Sequence, residues 1–202
     1  MSRYSDPDRY MDPYLDETTG VLKNRFRIRD EATLEATEAD LVAARSRTLA
    51  LKPPKGRFDL PHLQAIHRYL FGDVYEWAGQ LRTVDISKGN NSFAHHAHIA
   101  TAANAIFQQL ANENHLAELD PTTFSNRAAY YLGELNALHP FREGNGRALR
   151  AFLSHLAKAN DYEVAWENMR RVELLQAAIS SFRGDGSSLA SLIRANLSQR
   201  NP

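Results

Sequence analysis

The sequence predicts an all-α protein, a compact helical bundle interrupted by one short β-hairpin. Three observations predict it. Apolar residues recur three and four positions apart through most of the chain, the spacing of one helix face. Capping residues and Pro or Gly breakers cut that pattern into helix-length pieces joined by short connections. One stretch, "QLRTVDISKGNNSFAHH", changes to strand-like alternation around a turn.

Residues 1–20 are rich in Asp, Tyr and Pro and have no helical period. They read as an arm laid on the surface or partly ordered, ahead of one domain over 21–200. From Glu31 to Leu51 the residues are strong helix formers, with Leu34, Leu41, Val42 and Ala44 as the expected buried side. "KPPKGRFD" breaks that helix. The next starts after Asp59, a good cap, with Pro61 in its first turn and Leu63, Ile66, Leu70 and Phe71 on one face. Val84 and Ile86 then alternate with polar residues, "KGNNS" makes a turn and Phe93 follows, which predicts a hairpin or flap. Helical patterns return at Ile99–Leu110, Thr123–Leu138, Gly146–Lys158, about Glu167–Phe182, and Ser188–Leu197. There is no internal repeat.

A chain of 202 residues fits one domain with a substantial core. Its 24 Lys and Arg balance 24 Asp and Glu, which argues against a direct nucleic-acid partner or a membrane partner. There is no cysteine, so disulfides and thiolate metal sites are excluded. The N terminus lacks the apolar core of a signal peptide, and no apolar run approaches the roughly 20 residues of a membrane span. A cytoplasmic location is expected.

The stretch that a packed core does not need is "LHPFREGNGRALR". His139 ends an apolar helix, and Pro140 forbids helix continuation and is expected to hold His139 extended. Phe141 is the apolar anchor of the loop. Gly144 and Gly146 flank Asn145 where a new helix begins, so the backbone can approach a ligand closely. Free amides at a helix N terminus attract anions. Arg147 and Arg150, three apart, are expected to project from one side and supply charge-assisted hydrogen bonds to phosphate. Glu143 beside an anion makes sense if a divalent cation bridges the two. The spacing therefore suggests a nucleoside triphosphate with Mg²⁺ and a histidine that can take a proton from an attacking hydroxyl. His95, His96 and His98 lack carboxylate or cysteine partners in the local sequence and read as a solvated hairpin exit. His62 and His67 read as packing or surface residues, and Trp77, Tyr130 and Tyr131 as core.

"HPFREGNGRALR" resembles the signature of the Fic domain, His-x-Phe-x-Asp/Glu-Gly-Asn-Gly-Arg-x-x-Arg, at every fixed position: His139, Phe141, Glu143, Gly144, Asn145, Gly146, Arg147 and Arg150. "IHRYLFGDVYEWAGQLRTVDISKGNNSFAH" is similar to the helix and flap that precede that signature, and "DPY" and "TGVLKNRFRI" resemble the start of single-domain toxins of bacterial Fic toxin–antitoxin pairs. The likeness covers about residues 12 to 197. It implies a Fic-type helical bundle and protein adenylylation, the transfer of AMP from ATP to a Tyr, Thr or Ser hydroxyl with release of pyrophosphate. By that resemblance His139 is the general base and Glu143 holds Mg²⁺. Gly144, Asn145 and Gly146 hold the phosphates, Arg147 the β-phosphate and Arg150 the γ-phosphate. The flap, Lys88, Gly89, Asn90, Asn91, Ser92 and Phe93, clamps the target backbone by strand addition, and Lys88 and Gly89 help enclose the nucleotide.

Relatives with Ala-Asn-Lys-Arg in place of Gly-Asn-Gly-Arg act as phosphotransferases; this chain keeps "GNGR", which favours nucleotidyl transfer. A phosphotransferase, a transferase of another nucleotide and a non-catalytic interaction domain are the alternatives. Many relatives carry an inhibitory Ser/Thr-x-x-x-Glu-Gly/Asn helix whose Glu pairs with the second arginine. Here Glu113, Glu143 and Glu167 precede Asn or Gly, but Gln109, His139 and Glu163 stand four before them, so none fits. The expectation is a small antitoxin that supplies a glutamate near Arg150. In the toxin group the targets are the ATPase subunits of DNA gyrase and topoisomerase IV.

Overall fold

The structure, a computed structural model, describes residues 12–89 and 91–200. Its elements are α1 (Glu31–Leu51), α2 (Leu60–Phe71), β1 (Ser87–Lys88), β2 (Asn91–Ser92), α3 (Ile99–Asn112), α4 (Pro121–Leu138), α5 (Asn145–Ala159), β3 (Tyr162–Val164), α6 (Arg171–Phe182), α7 (Ser187–Ala195) and β4 (Leu197–Gln199). The helices start where short acidic caps allow. Asp30, Asp59 and Asp120 accept the first-turn amides of Thr33, His62 and both Thr122 and Thr123. α4 is the central helix and packs against α3, α5, α6 and α7, while α2 packs against α1 and α5. The core between them is apolar and fully enclosed at Leu63, Ile66, Phe71, Ile99, Phe124 and Leu156, among others.

Several expectations are corrected in detail. On α1 the buried stripe is Leu34, Glu38, Val42 and Leu49. Ala44 is exposed and Leu41 only half-buried, because α1 packs on α2 along one narrow side. The hairpin pairs Ser87 with Ser92 and Lys88 with Asn91, antiparallel, so its ladder starts beyond Val84 and Ile86. A second two-stranded ribbon was not expected: β3 and β4 pair antiparallel through Tyr162–Gln199, Glu163–Ser198 and Val164–Leu197. Leu197 therefore belongs to a strand, not to the last helix, which stops at Ala195. The helix expected from Glu167 is split. Trp166–Asn168 forms a 3-10 turn, Met169 is extended, and α6 begins at Arg171. Trp166 Nε1 donates to Ser154 Oγ at 2.8 Å and ties that turn to α5.

Of the arm expected over 1–20, residues 1–11 lie outside the described residues, as does Asn90 of the flap. The described part is anchored at three residues. Asp12, Tyr14 and Leu15 are buried, and Tyr14 meets Trp77 edge-on with ring centroids 5.3 Å apart. Among the described residues, no helix is long and apolar enough to cross a membrane.

Candidate active site

α4 ends at Leu138 and α5 begins at Asn145, and the loop between them carries the candidate site. His139 is not extended, as the following proline suggested. It has φ 49° and ψ 64°, the left-handed cap of α4, and its N–H closes on the Leu135 carbonyl at 3.1 Å. Proline excludes the right-handed helical region before it, and the cap supplies the alternative. The imidazole Nδ1 lies 3.1 Å from the Asn136 carbonyl oxygen. A carbonyl can only accept, so Nδ1 carries the hydrogen and the basic lone pair sits on Nε2. Burial lowers the pKa of His139 to about 3; the Arg82 and Lys88 charges add to this, and the Asn136 hydrogen bond opposes it. The ring is thus neutral at physiological pH, as a base must be.

Phe141 is fully buried, worth about 1.5–3 kcal/mol of apolar transfer, and pins the loop. Asn145, expected at the phosphates, turns its side chain back into the loop. Its Oδ1 accepts the Phe141 N–H at 2.8 Å and its Nδ2 donates to the Phe141 carbonyl at 2.7 Å. Gly144 has φ +81°, and a Cβ there would sit 2.3 Å from Phe71 Cζ, so both backbone angle and space demand glycine. Its left-handed turn opens α5 without a side-chain cap. The first-turn amides of α5 have no acceptor within the helix, and the helix dipole stands behind them.

The two arginines diverge. Arg147 Nη2 pairs with Glu38 at 2.5 Å and with Glu143 at 3.4 Å, its guanidinium 4.7 Å above the Phe71 ring. Arg150 instead lines a groove with Asn136, Gly146, Leu149, Leu174 and Leu189. Burial, and secondarily the Arg147 charge, lower its pKa. The two carboxylates on Arg147 account for the divergence. Glu143 is buried, and its Oε1 accepts from Gly144 N–H at 2.9 Å. Mg²⁺ commonly takes one or two carboxylates and completes its shell with phosphate and water. The donor type therefore fits, provided the Arg147 contact is exchanged.

The flap reaches the loop through Phe93, whose ring lies flat on the His139 imidazole, centroids 3.9 Å apart and 20° between planes. Gly89 takes φ +58° at the turn. Lys88 and Gly89 are exposed, and Lys88 is near enough for its charge to act on His139.

Four supporting residues escaped the sequence reading. The buried Arg82 donates Nε to the His139 carbonyl at 2.8 Å, Nη1 to Val84 at 2.6 Å and Nη2 to the carbonyls of Ala94 and Leu138. Its own N–H reaches Pro140 at 2.9 Å. One guanidinium therefore joins both limbs of the flap to the end of α4. His67 is no mere filler. Gly79 N–H donates to its Nδ1 at 2.9 Å, so its Nε2–H donates to the Glu143 carbonyl, also at 2.9 Å, while the ring stacks on Phe141 with centroids 3.9 Å apart. Asp12 pairs with Arg142, and Glu38 accepts from both Tyr75 and Arg147. A polar residue at a helical core position was the one available signal for His67 and Glu38. Nothing in the sequence marked Arg82 or Asp12 as partners of the loop.

The model of the Fic/DOC family matches residues 57–157. The protein adenylyltransferase VbhT of Bartonella schoenbuchensis is 50% identical over 93% of this chain, which spans only 39% of that relative's length. The probable protein adenylyltransferase Fic of Escherichia coli is 41% identical, with 86% of each chain covered. The solved structure of BepC from Bartonella tribocorum with bound AMPPNP superposes with a TM-score of 0.86 at 26% identity, covering 93% of this chain and 97% of that one. With its flap and the whole of the 139–150 loop inside the matched segment, the chain belongs to the Fic/DOC family.

Proposed function

We propose that this protein transfers AMP from ATP to a side-chain hydroxyl of a target protein. It is a nucleotidyltransferase of the Fic/DOC family, as its relatives' names indicate. The observation that carries the reading is the tautomer of His139. With Nδ1–H held by Asn136, Nε2 is left as the proton acceptor, next to a helix N terminus suited to phosphate. The target oxygen attacks the α-phosphorus as its proton passes to Nε2. A new P–O bond forms, the bond from the α-phosphorus to the bridging oxygen breaks, and pyrophosphate leaves with its electron pair. The α5 amides and Arg150 stabilise charge on the phosphoryl oxygens, and Arg147 does so once released from Glu38. Mg²⁺ held by Glu143 supplies further neutralisation of the α- and β-phosphates when bound. The flap lays an extended target segment beside the α-phosphate, which contributes through positioning.

Two finer elements belong to the same proposal. Inhibition comes from a glutamate of a small partner chain that occupies Arg150, because no glutamate of this chain stands in the inhibitory pattern. Targets are the ATPase subunits of type II topoisomerases, by resemblance to single-domain Fic toxins. Incubation with ATP labelled on the α- or on the γ-phosphate tests the reaction. The proposal expects protein label from the α-position alone and a loss of about 10²–10⁴-fold in His139→Ala. Label carried only from the γ-position would instead establish a phosphotransferase.

A further inference from the structure

Asp85 and His95 stand on opposite sides of the hairpin, just outside its ladder, with His96 next in line. Among the described residues they form the one group of three imidazole and carboxylate side chains whose ligand atoms all lie within 4.8 Å of one another. We propose that Asp85, His95 and His96 bind a divalent transition-metal ion of the zinc type at the stem of the flap. The sequence alone hides the site, because the carboxylate comes from the segment before the turn.

The geometry is close to what such an ion requires. Zinc bonds to nitrogen and carboxylate oxygen at about 2.0–2.2 Å, which puts tetrahedral ligand atoms roughly 3.3 Å apart. His96 Nδ1 is 3.0 Å from Asp85 Oδ1 and His95 Nε2 is 3.4 Å from Asp85 Oδ2. The His95 and His96 rings are stacked with centroids 4.6 Å apart, so both already face the same carboxylate. Asp85 is oriented from behind, since the His96 N–H donates to its Oδ1 at 2.7 Å. Such outer hydrogen bonds are the usual support of a ligating carboxylate. The side chains are 54%, 37% and 43% exposed for His95, His96 and Asp85, which leaves room for an ion and a water as fourth ligand.

Two features work against the ion. Arg82 Nη1 lies 3.6 Å from Asp85 Oδ1, but it is hydrogen-bonded to the Val84 carbonyl and approaches from the buried side. Ligation through His95 Nε2 moves that ring's proton to Nδ1, which now accepts the Ala97 N–H at 3.2 Å. The exposed Ala97 amide then turns to water. Both imidazoles bind as neutral rings. Bound there, the ion ties residue 85 to residues 95 and 96 and closes the flap's stem.

Equilibrium dialysis of the tag-free protein against Zn²⁺, with Co²⁺ absorbance as a second readout, tests the site. One ion per chain is expected, with cobalt bands in the visible. Because changes outside the ligand set alone cost about 10–100-fold, His95→Ala and His96→Ala should each weaken binding at least about tenfold. Both variants should keep the far-ultraviolet circular dichroism of the parent, since His95 and His96 are exposed or half-exposed. Absence of stoichiometric binding, or binding undiminished in the His95→Ala/His96→Ala double variant, overturns the proposal. Neither readout depends on nucleotidyl transfer.

Discussion

Asp12 and Arg142 form an ion pair at 2.8 Å with side chains 0% and 1% exposed. The partners are 130 residues apart in sequence, and Asp12 also accepts the Tyr14 N–H at 2.9 Å. The pair anchors the loop between His139 and Gly144 to the N-terminal segment. Removing one member of a buried pair strands the other charge, at a cost of about 3–5 kcal/mol. Asp12→Ala is therefore expected to lower the urea-unfolding free energy by that amount, whereas an exposed pair such as Arg170–Glu173 should contribute little. An unchanged unfolding curve for Asp12→Ala would contradict this. The residues of the loop itself were legible because their chemistry is contiguous: histidine, acid, glycines and arginines within one short run. Nothing in that run pointed to the partner of Arg142, which lies far upstream. The backward turn of Asn145 was not legible for a related reason. The sequence shows an amide at a helix start, but not that the amide faces backward onto Phe141.

At the scale of elements, the flap and α4 behave as one piece through Arg82. Its fork spans carbonyls on both flap limbs and at the end of α4, the His139 carbonyl among them. Lysine keeps the charge but cannot reach all of these at once. Arg82→Lys should lower kcat on the order of 10²-fold through misplacement of His139 and the flap. KM for ATP should change far less, because the groups Arg82 holds belong to the flap and the end of α4. Steady-state labelling with varied ATP separates the two. A rise in KM with kcat unchanged would rule out positioning of the base. The helices themselves were readable from apolar spacing and, for α2, from the cap at Asp59. The β3–β4 ribbon was not, because three-residue strands carry too little alternation to stand out, and their pairing joins distant segments. The Asp85–His95–His96 cluster was missed in the same way: pairing across the hairpin, not local spacing, creates it.

For the whole molecule, buried neutral histidines link stability to pH. Burial depresses His67 and His139 to about 3 and His155 to about 4, and lowers His62 as well. In the unfolded chain these rings take up protons near 6.5. Below that pH the unfolded state binds more protons than the folded one, so stability falls as pH falls and levels only near the folded values. The two buried rings, His67 and His139, both act in this direction. Urea midpoints should therefore decline steadily from pH 6.5 to pH 5, and a flat profile would contradict the burial of these rings. The same neutral His139 that makes the protein acid-sensitive is the base of the proposed reaction. Intact-mass analysis of a cell extract incubated with ATP, Mg²⁺ and this protein tests that claim most directly. The account predicts the gain of one adenylate on a discrete protein, absent with His139→Ala. Equal gain with His139→Ala, or no adenylate on any protein, would contradict it.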